Sequence, residues 1–219
     1  MDILTRLDIL TRERLNKYFA SSRLSKVLPE NRNFTIISND CWAGHVYRYF
    51  GLPYNTPTIG VGFFADDYLK FVKNLKYYLS KDLEMILPEE SKHWNQIRNQ
   101  GKMFQVCPYA RIDDIEVRFS HYNSFEEVKE KWDKRRERMN WNNLIIKMSE
   151  HNGCTIEHLK SFDALDYDKK LVFTTRDYGL KSQVIYKEYE GKDDIINGTA
   201  HFRKYVDLIK LVNGEPFKK

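Results

Sequence analysis

The feature that most constrains the fold is an alternation of short apolar runs with helical patterns along the chain. Apolar runs lie at residues 34–37, 58–64, 144–146 and 171–173, and each has the length of a buried strand. Strand–helix alternation of this kind predicts a largely parallel sheet with helices on both faces. We therefore expect an α/β fold of three α/β/α layers, built on a mostly parallel mixed sheet in which two or three strands are antiparallel.

The size of the chain is typical of one globular domain. Its 219 residues can bury one sizeable core. The proportions of hydrophobic residues (42%) and charged residues (31%) are ordinary for a compact domain. We expect a single domain over residues 1–219, in which residues 1–30 form an N-terminal helical arm. The apolar stripe of residues 1–20 predicts a helix that packs on the domain or on a second copy of the chain, so a homo-oligomer is one of two alternatives.

Charge and cysteine content argue against several classes of function. The net charge of +5 is mild, and residues 126–138 carry six positive and five negative side chains at helical spacing, which is typical of an ion-paired surface. We therefore expect no nucleic-acid partner. Three cysteines without a CxxC motif predict neither a zinc ribbon nor a disulfide framework, which favours the reducing cytoplasm. We expect no membrane span and no secretory signal, because charges interrupt every long apolar stretch.

Three local patterns predict individual elements. Strict apolar–polar alternation over residues 115–122 predicts a strand with one face exposed to water. Ser124 begins a capping box and is expected to start a long helix. Asp66 or Asp67 is expected to cap an amphipathic helix.

Residues 34–50 form the stretch most typical of a functional site. The apolar run stops at the polar cluster 38–41, and a helical pattern that carries His45 follows. Ligands of open α/β sheets usually bind where a strand ends and a helix begins, because unpaired N–H groups and the helix dipole favour anions and thiolates there. Cys41 is therefore a candidate catalytic nucleophile whose thiol pKa the helix lowers, with His45 or His121 as its base. The alternative is a small cysteine buried beneath the sheet.

Residues around the same turn are candidates for binding a ligand. Asn39 and Asp40 can hydrogen-bond a sugar hydroxyl or cap the helix, and Trp42 can stack on a sugar or an adenine or fill the core. Arg176, at the end of a later strand, can clamp a phosphate or pair with an acidic neighbour. The predicted ligand-binding set is Ser38, Asn39, Asp40, Trp42, Gly44, Arg176 and Asp177.

A second polar cluster lies near the predicted hairpin. Asp113 and Asp114 can bind a divalent metal together with a nucleotide sugar, as oxygen-rich sites do. Aspartates in a turn are also explained without any function. We assign no metal site.

Three segments, in order along the chain, resemble the bacterial domain of unknown function 1919 family. They read ISNDCWAGHVYRYFGLPYNTPTIG, RIDDIEVRFSHYNSFEEVKEKWDKRRERMNW and LVFTTRDY, within about residues 30–180. The first motif of the family usually reads Ser-Asn-Asn-Cys-Trp-Gly-Gly, whereas this chain has Asp40 in place of the second Asn and Ala43 in place of the first Gly. The resemblance implies an α/β fold and a link to cell-surface polysaccharide genes, because members are often labelled exopolysaccharide biosynthesis proteins.

The residues and the resemblance together favour an enzyme of cell-surface polysaccharide assembly, a transferase that moves an acyl group to a sugar. In this hypothesis the donor is a coenzyme A thioester, Cys41 is the nucleophile or lies beside the thioester, and His45 or His121 is the base. The partners are then small molecules, a sugar and an acyl donor. Two alternatives stay open. One is a non-catalytic accessory protein of the same pathway that binds a sugar or phosphate, and the other is a metal-dependent nucleotide-sugar glycosyltransferase that uses Asp113 or Asp114.

Overall fold

The computed structural model describes Leu15 and residues 18–219. Residues 18–24 are helical. Most of the predicted helix over residues 1–20 lies outside the described residues, and so does the first half of the predicted arm, residues 1–30. The expectation of a single domain over the whole chain stays a prediction.

The described strands are short, and they belong to two sheets. In chain order they are β1 (Thr35–Ser38), β2 (Val61–Gly62), β3 (Glu84–Ile86), β4 (Tyr109–Ile112), β5 (Ile115–Phe119), β6 (Leu144–Ser149), β7 (Lys169–Thr174) and β8 (Gln183–Ile185).

The helices separate most of these strands. Those after residue 24 are α1 (Trp42–Phe50), α2 (Ala65–Lys73), α3 (Leu75–Leu79), α4 (Trp94–Ile97), α5 (Lys102–Val106), α6 (Phe125–Arg136), α7 (Ile156–Asp163) and α8 (Leu208–Asn213). Short 3₁₀ turns lie at Pro29–Asn31, Pro88–Glu90, Lys187–Tyr189 and Phe202–Lys204. Across the described residues, the helices fall short of the length and apolar character that crossing a membrane requires.

One sheet is parallel throughout, in the order β1-β6-β7-β8. Successive residues of β7 point to opposite faces, and both faces are covered. Leu171 and Phe173 pack with α1 and α8, whereas Val172 packs with α2, α7 and the second sheet. Burial on both faces explains why these strands read as continuous apolar runs in the sequence. The pairing of Ser38 with Lys147 brings the carboxyl ends of β1 and β6 together.

The second sheet is antiparallel, in the order β2-β5-β4-β3. Its central hairpin, β4–β5, turns at Asp113, which has a positive φ of 57°. The expected α/β class is confirmed, with parallel and antiparallel strands, but these strands form two separate four-stranded sheets. The three-layer arrangement stays a prediction.

The water-facing side predicted for residues 115–122 is wrong at Glu116, whereas Arg118 and Ser120 on that side are half-buried. Glu116 is only 4% exposed, because it accepts a hydrogen bond from Ser91 Oγ at 2.5 Å and lies 3.4 Å from the Arg111 guanidinium. Alternation shows that a strand has one polar face. It does not show whether water or another segment of the chain covers that face.

The predicted helix starts have different outcomes. Ser124 Oγ accepts a hydrogen bond from the Glu127 N–H, so the predicted cap of α6 is confirmed. Neither Asp66 nor Asp67 caps α2, since both lie inside its first turn after Phe64. Asp67 is fully buried instead and pairs with the side chains of Lys92 and His93.

Candidate active site

The turn after β1 is fixed by Asn39, which joins it to the end of β6. Asn39 Oδ1 accepts a hydrogen bond from the Ser149 N–H at 2.9 Å, and Asn39 Nδ2 donates to the Ser149 carbonyl at 3.0 Å. The Asn39 carbonyl also accepts from the Phe63 N–H at 3.1 Å, which ties the turn to the loop before α2. Asn39 is fully buried. Its amide, predicted to bind a ligand, is therefore occupied by the fold.

Asp40 is held in this turn by an ion pair with a buried lysine. Asp40 Oδ2 lies 2.5 Å from Lys147 Nζ and accepts from Ser149 Oγ at 3.0 Å. Asp40 Oδ1 accepts at 3.0 Å from the N–H of Trp42, the first residue of α1. Burial by itself raises the pKa of Asp40, but the charge and hydrogen bonds of its partners outweigh burial and hold the pKa below its usual value. Asp40 is therefore a carboxylate at neutral pH, which favours the charged form of Lys147.

Gly198 covers this ion pair from a loop near the end of the chain. A Cβ atom at position 198 would lie 2.8 Å from Ser149 Oγ and 3.0 Å from Asp40 Oδ2. Real Cβ atoms do not approach other atoms that closely, so the backbone reaches the polar pair only because the residue is glycine.

The candidate nucleophile lies next to the ion pair and contacts a histidine from the antiparallel sheet. Cys41 Sγ is 3.5 Å from His121 Nε2. Cys41 is half-buried and directly precedes α1, and His121 is exposed. Burial and the Asp40 carboxylate raise the pKa of the Cys41 thiol to about 11. The expectation that the helix lowers this pKa is therefore wrong, and the thiol needs a base to become a nucleophile at neutral pH.

His121 reaches Cys41 because the chain just after β5 is fastened to the loop at residues 59–60. The Ser120 N–H donates to the Gly60 carbonyl at 2.8 Å, and the Tyr122 hydroxyl donates to the Ile59 carbonyl at 2.5 Å. Gly60 has a φ of +68°, and a Cβ there would lie 3.4 Å from His121 Cβ. The predicted base thus lies against a residue whose left-handed backbone favours glycine.

Arg118 adds a positive charge to the same place. Its guanidinium lies over the Phe104 ring at 4.2 Å, and Arg118 Nε donates to Ser120 Oγ at 3.1 Å. The guanidinium packs against Gly62: a Cβ added at residue 62 would lie only 2.6 Å from Arg118 Nη2. The charge of Arg118 lowers the pKa of Cys41 and partly opposes burial.

His45 lies one helical turn after Cys41 and lines a groove. Burial and the neighbouring Arg48 lower the pKa of His45. Among the described residues, the hydrogen-bond partner of the Cys41 thiol is His121 and not His45. His45 instead lines an open groove of about 910 Å³ between the C-terminal part of α1 and residues 199–204.

Three predicted ligand-binding residues of this turn serve the fold. Ser38 Oγ donates to the Asp40 carbonyl at 2.8 Å. Trp42 is fully buried against Phe173 and Phe202, so the core alternative describes it. Gly44 packs under Ile59, with 3.9 Å from an added Cβ to the nearest atoms.

Arg176 and Asp177 lie in the segment after β7, and neither lines the groove. Arg176 Nη2 donates to the Lys192 carbonyl at 3.1 Å. Asp177 Oδ1 accepts from the Gly179 N–H at 2.8 Å and from Gln183 Nε2 at 2.6 Å. The contacts of Asp177 organise the loop that leads to β8, whereas Arg176 is joined to the segment that follows β8.

Asp113 and Asp114, the alternative metal-binding residues, lie directly before the start of β5, whereas His121 follows its end. Asp114 pairs with Lys70 at 2.5 Å and accepts from the Tyr78 hydroxyl at 2.8 Å, and Asp113 accepts from the Tyr77 hydroxyl at 2.5 Å. In the part of the chain that the structure describes, no group of three or more His, Cys, Asp or Glu side chains could hold a metal ion.

Four residues of the site were not predicted from the sequence: Arg118, Lys147, Ser149 and Gly198. Lys147 was the one with a visible signal, because a lysine within the apolar run of β6 is rarely buried without a partner. The partner itself lies 107 positions earlier in the chain.

Comparison with known proteins agrees with the resemblance of the three sequence segments. The sequence model of a family described as "Domain of unknown function (DUF1919)" matches residues 11–213. An uncharacterised protein of Haemophilus influenzae is 28% identical over 206 residues, which cover 90% of this chain and 92% of that protein. The matched region includes the turn after β1, the Cys41–His121 pair and the groove. This chain belongs to the domain of unknown function 1919 family.

Proposed function

We propose that the protein is a cytoplasmic transferase of cell-surface polysaccharide assembly, which moves an acyl group from a coenzyme A thioester to a sugar hydroxyl through Cys41. The observation that carries this proposal is the 3.5 Å contact between Cys41 Sγ and His121 Nε2. A thiol beside an imidazole is the arrangement that covalent acyl transfer requires. The polysaccharide pathway rests on the resemblance of the sequence and not on the geometry.

The first half of the reaction transfers the acyl group to the enzyme. His121 Nε2 takes the proton of the Cys41 thiol as Sγ attacks the thioester carbonyl. The new bond joins the acyl carbon to Cys41 Sγ, the bond from that carbon to the coenzyme A sulfur breaks, and the leaving thiolate receives the proton from His121. The raised pKa of Cys41 makes the base necessary, since little thiolate exists at neutral pH without one.

The second half regenerates the thiol. His121 takes the proton of a sugar hydroxyl, whose oxygen attacks the acyl carbon. The ester bond forms as the bond to Cys41 Sγ breaks, and His121 returns the proton to sulfur. The positive end of the α1 dipole and the charge of Arg118 would stabilise the negative oxygen of each tetrahedral intermediate.

Intact-mass and peptide-mapping spectrometry test this proposal. The full chain is mixed with acetyl-coenzyme A or with the small thioester S-acetyl-N-acetylcysteamine and quenched in acid. We expect one acetyl group on Cys41 in the wild type and none in Cys41→Ala. Cys154→Ala is the matched control, because Cys154 is also half-buried but its thiol donates to the Thr155 carbonyl at 3.7 Å. It should be acetylated like the wild type.

Absence of acetyl from Cys41 with both thioesters would contradict the proposal, as would an equal acetyl signal in Cys41→Ala. A protein that binds a sugar or phosphate but is never acetylated would fit the accessory-protein alternative.

A further inference from the structure

The groove that His45 lines is rich in basic side chains. Five of the residues that line it are basic: His45, Arg48, His201, Arg203 and Lys204. Arg48, Arg203 and Lys204 carry the formal positive charges among them. No aspartate or glutamate is among the described residues of its lining. The net charge of the whole chain is only +5, so this concentration of positive charge is local and attracts an anion.

The two arginines of the groove are available to a ligand. Arg48 and Arg203 are both exposed, and neither has a carboxylate of the described residues within 4.0 Å. Lys204, by contrast, is paired with Glu188 at 2.8 Å. Two arginines without acidic partners among the described residues offer several N–H donors to phosphate oxygens, and each can bind in a bidentate manner.

The groove also offers aromatic surface. Tyr49, Tyr54 and Phe202 line it together with the basic residues. Arg203 lies over the Tyr49 ring at 5.6 Å, so charge and aromatic surface are adjacent. An inorganic phosphate would leave most of this space empty, because the groove's volume of about 910 Å³ has the size of sites for ligands with many atoms. Aromatic rings next to cations are suited to a base that carries phosphates.

The position of the groove connects it to the reactive thiol. His45 lines the groove from the same helix that begins directly after Cys41. The opposite wall, residues 199–204, follows Gly198, where an added Cβ would lie 3.0 Å from Asp40 Oδ2. A ligand whose charged end lies in the groove can therefore extend its other end toward Cys41.

We infer that this groove binds the nucleoside pyrophosphate part of the group donor, with Arg48 and Arg203 on the phosphates and the tyrosines beside the base. The identity of the donor's reactive end rests on the proposed function. Binding of the donor's nucleotide is argued from the groove alone. Two kinds of donor contain a nucleoside pyrophosphate: coenzyme A, as adenosine pyrophosphate, and an activated sugar, as a nucleoside diphosphate.

Calorimetric titration of the full chain separates these sources and tests the groove. Coenzyme A and uridine diphosphate are titrated into the wild type, Cys41→Ala, the double variant Arg48→Gln/Arg203→Gln, and Arg98→Gln. Arg98→Gln is the control for loss of an arginine outside the groove, because Arg98 is exposed, does not line the groove and undergoes the same substitution as each of the two groove arginines. We expect coenzyme A to bind the wild type, Cys41→Ala and Arg98→Gln equally, and the double variant at least about tenfold more weakly.

The outcomes distinguish failure of the groove from failure of the thiol chemistry. Equal affinity of the double variant and the wild type, or binding of neither nucleotide, overturns the inference. Acetylation of Cys41 by the small thioester in that case leaves the proposed function intact. Binding of either nucleotide that depends on both arginines supports the groove even if Cys41 is never acetylated. A preference for uridine diphosphate then assigns the groove to an activated sugar and contradicts the coenzyme A donor.

Discussion

Lys147 Nζ lies 2.5 Å from Asp40 Oδ2, so the lysine of a buried strand is neutralised by the residue directly before the candidate nucleophile. The Lys147 side chain is fully buried, and that of Asp40 is 16% exposed. A buried charge is stable only with a partner. The pair therefore fixes the turn that carries Cys41 and determines the charge that the thiol experiences.

Loss of the lysine should destabilise the protein strongly. In Lys147→Met the Asp40 carboxylate keeps its burial but loses its cation, so we expect the free energy of unfolding to fall by about 3 kcal/mol. Urea denaturation followed by circular dichroism measures the change. Lys134→Met is the matched control, because its pair with Glu130 is on the surface of α6, and this variant should unfold much like the wild type. Similar losses in the two variants would contradict a structural role of the buried pair.

Removal of the carboxylate charge should make the Cys41 thiol more acidic. The pKa of Cys41 is raised to about 11 first by burial and next by Asp40. A negative neighbour disfavours the thiolate, so in Asp40→Asn the pKa falls and the thiolate fraction at pH 8 rises. The rate of alkylation by iodoacetamide, followed by peptide mass spectrometry against pH, should increase several-fold at pH 8 and its midpoint should move to lower pH.

Cys154 provides an internal control for that experiment. Burial and the charge of Glu150 raise its pKa, so its alkylation profile should be the same in the wild type and in Asp40→Asn. An unchanged Cys41 profile, or a shift of both cysteines together, would show that Asp40 does not set the acidity of Cys41.

His121 should control the reaction rate and not the stability. His121→Asn removes the group that accepts the Cys41 proton, and we expect acetylation of Cys41 by the small thioester to slow by about 10²-fold. The free energy of unfolding should change little, because His121 is exposed. His45→Asn is the comparison, since His45 lies in the groove and is not bonded to Sγ. Stopped-flow or quenched acetylation rates check this, and equal slowing in both variants would argue against His121 as the base.

Much of the region around Cys41 follows from local sequence. The apolar run 34–37 and the polar residues after it predict the strand and the start of α1, and the structure has them at Thr35–Ser38 and Trp42–Phe50. Such signals need only residues that are near one another in the chain. Of the two histidines predicted as candidate bases, the structure brings His121 into contact with Cys41, and that distinction needed coordinates.

Contacts between distant segments were beyond local patterns. Asp40 meets Lys147 across 107 positions, and Glu116 is covered by Ser91 across 25 positions. The predicted direction of the pKa shift of Cys41 was wrong, because burial and the adjacent Asp40 carboxylate outweigh the effect expected from the helix dipole. The sequence pattern also does not reveal that the antiparallel strands form a sheet of their own.

Two glycine-to-alanine substitutions near the site should change the free energy of unfolding in opposite directions. In Gly198→Ala the new Cβ would lie 2.8 Å from Ser149 Oγ and 3.0 Å from Asp40 Oδ2, so the loop or the ion pair must move. We expect a loss of about 1–3 kcal/mol in the free energy of unfolding. In Gly44→Ala the Cβ meets only Ile59, at 3.9 Å, within a helix that alanine favours, so a gain of about 0.5 kcal/mol is expected. Denaturant unfolding of both variants measures the two signs. A neutral Gly198→Ala would mean that the loop does not rest on the Asp40–Lys147 pair in solution, whereas a loss in both variants would point to a general intolerance of the site to added volume.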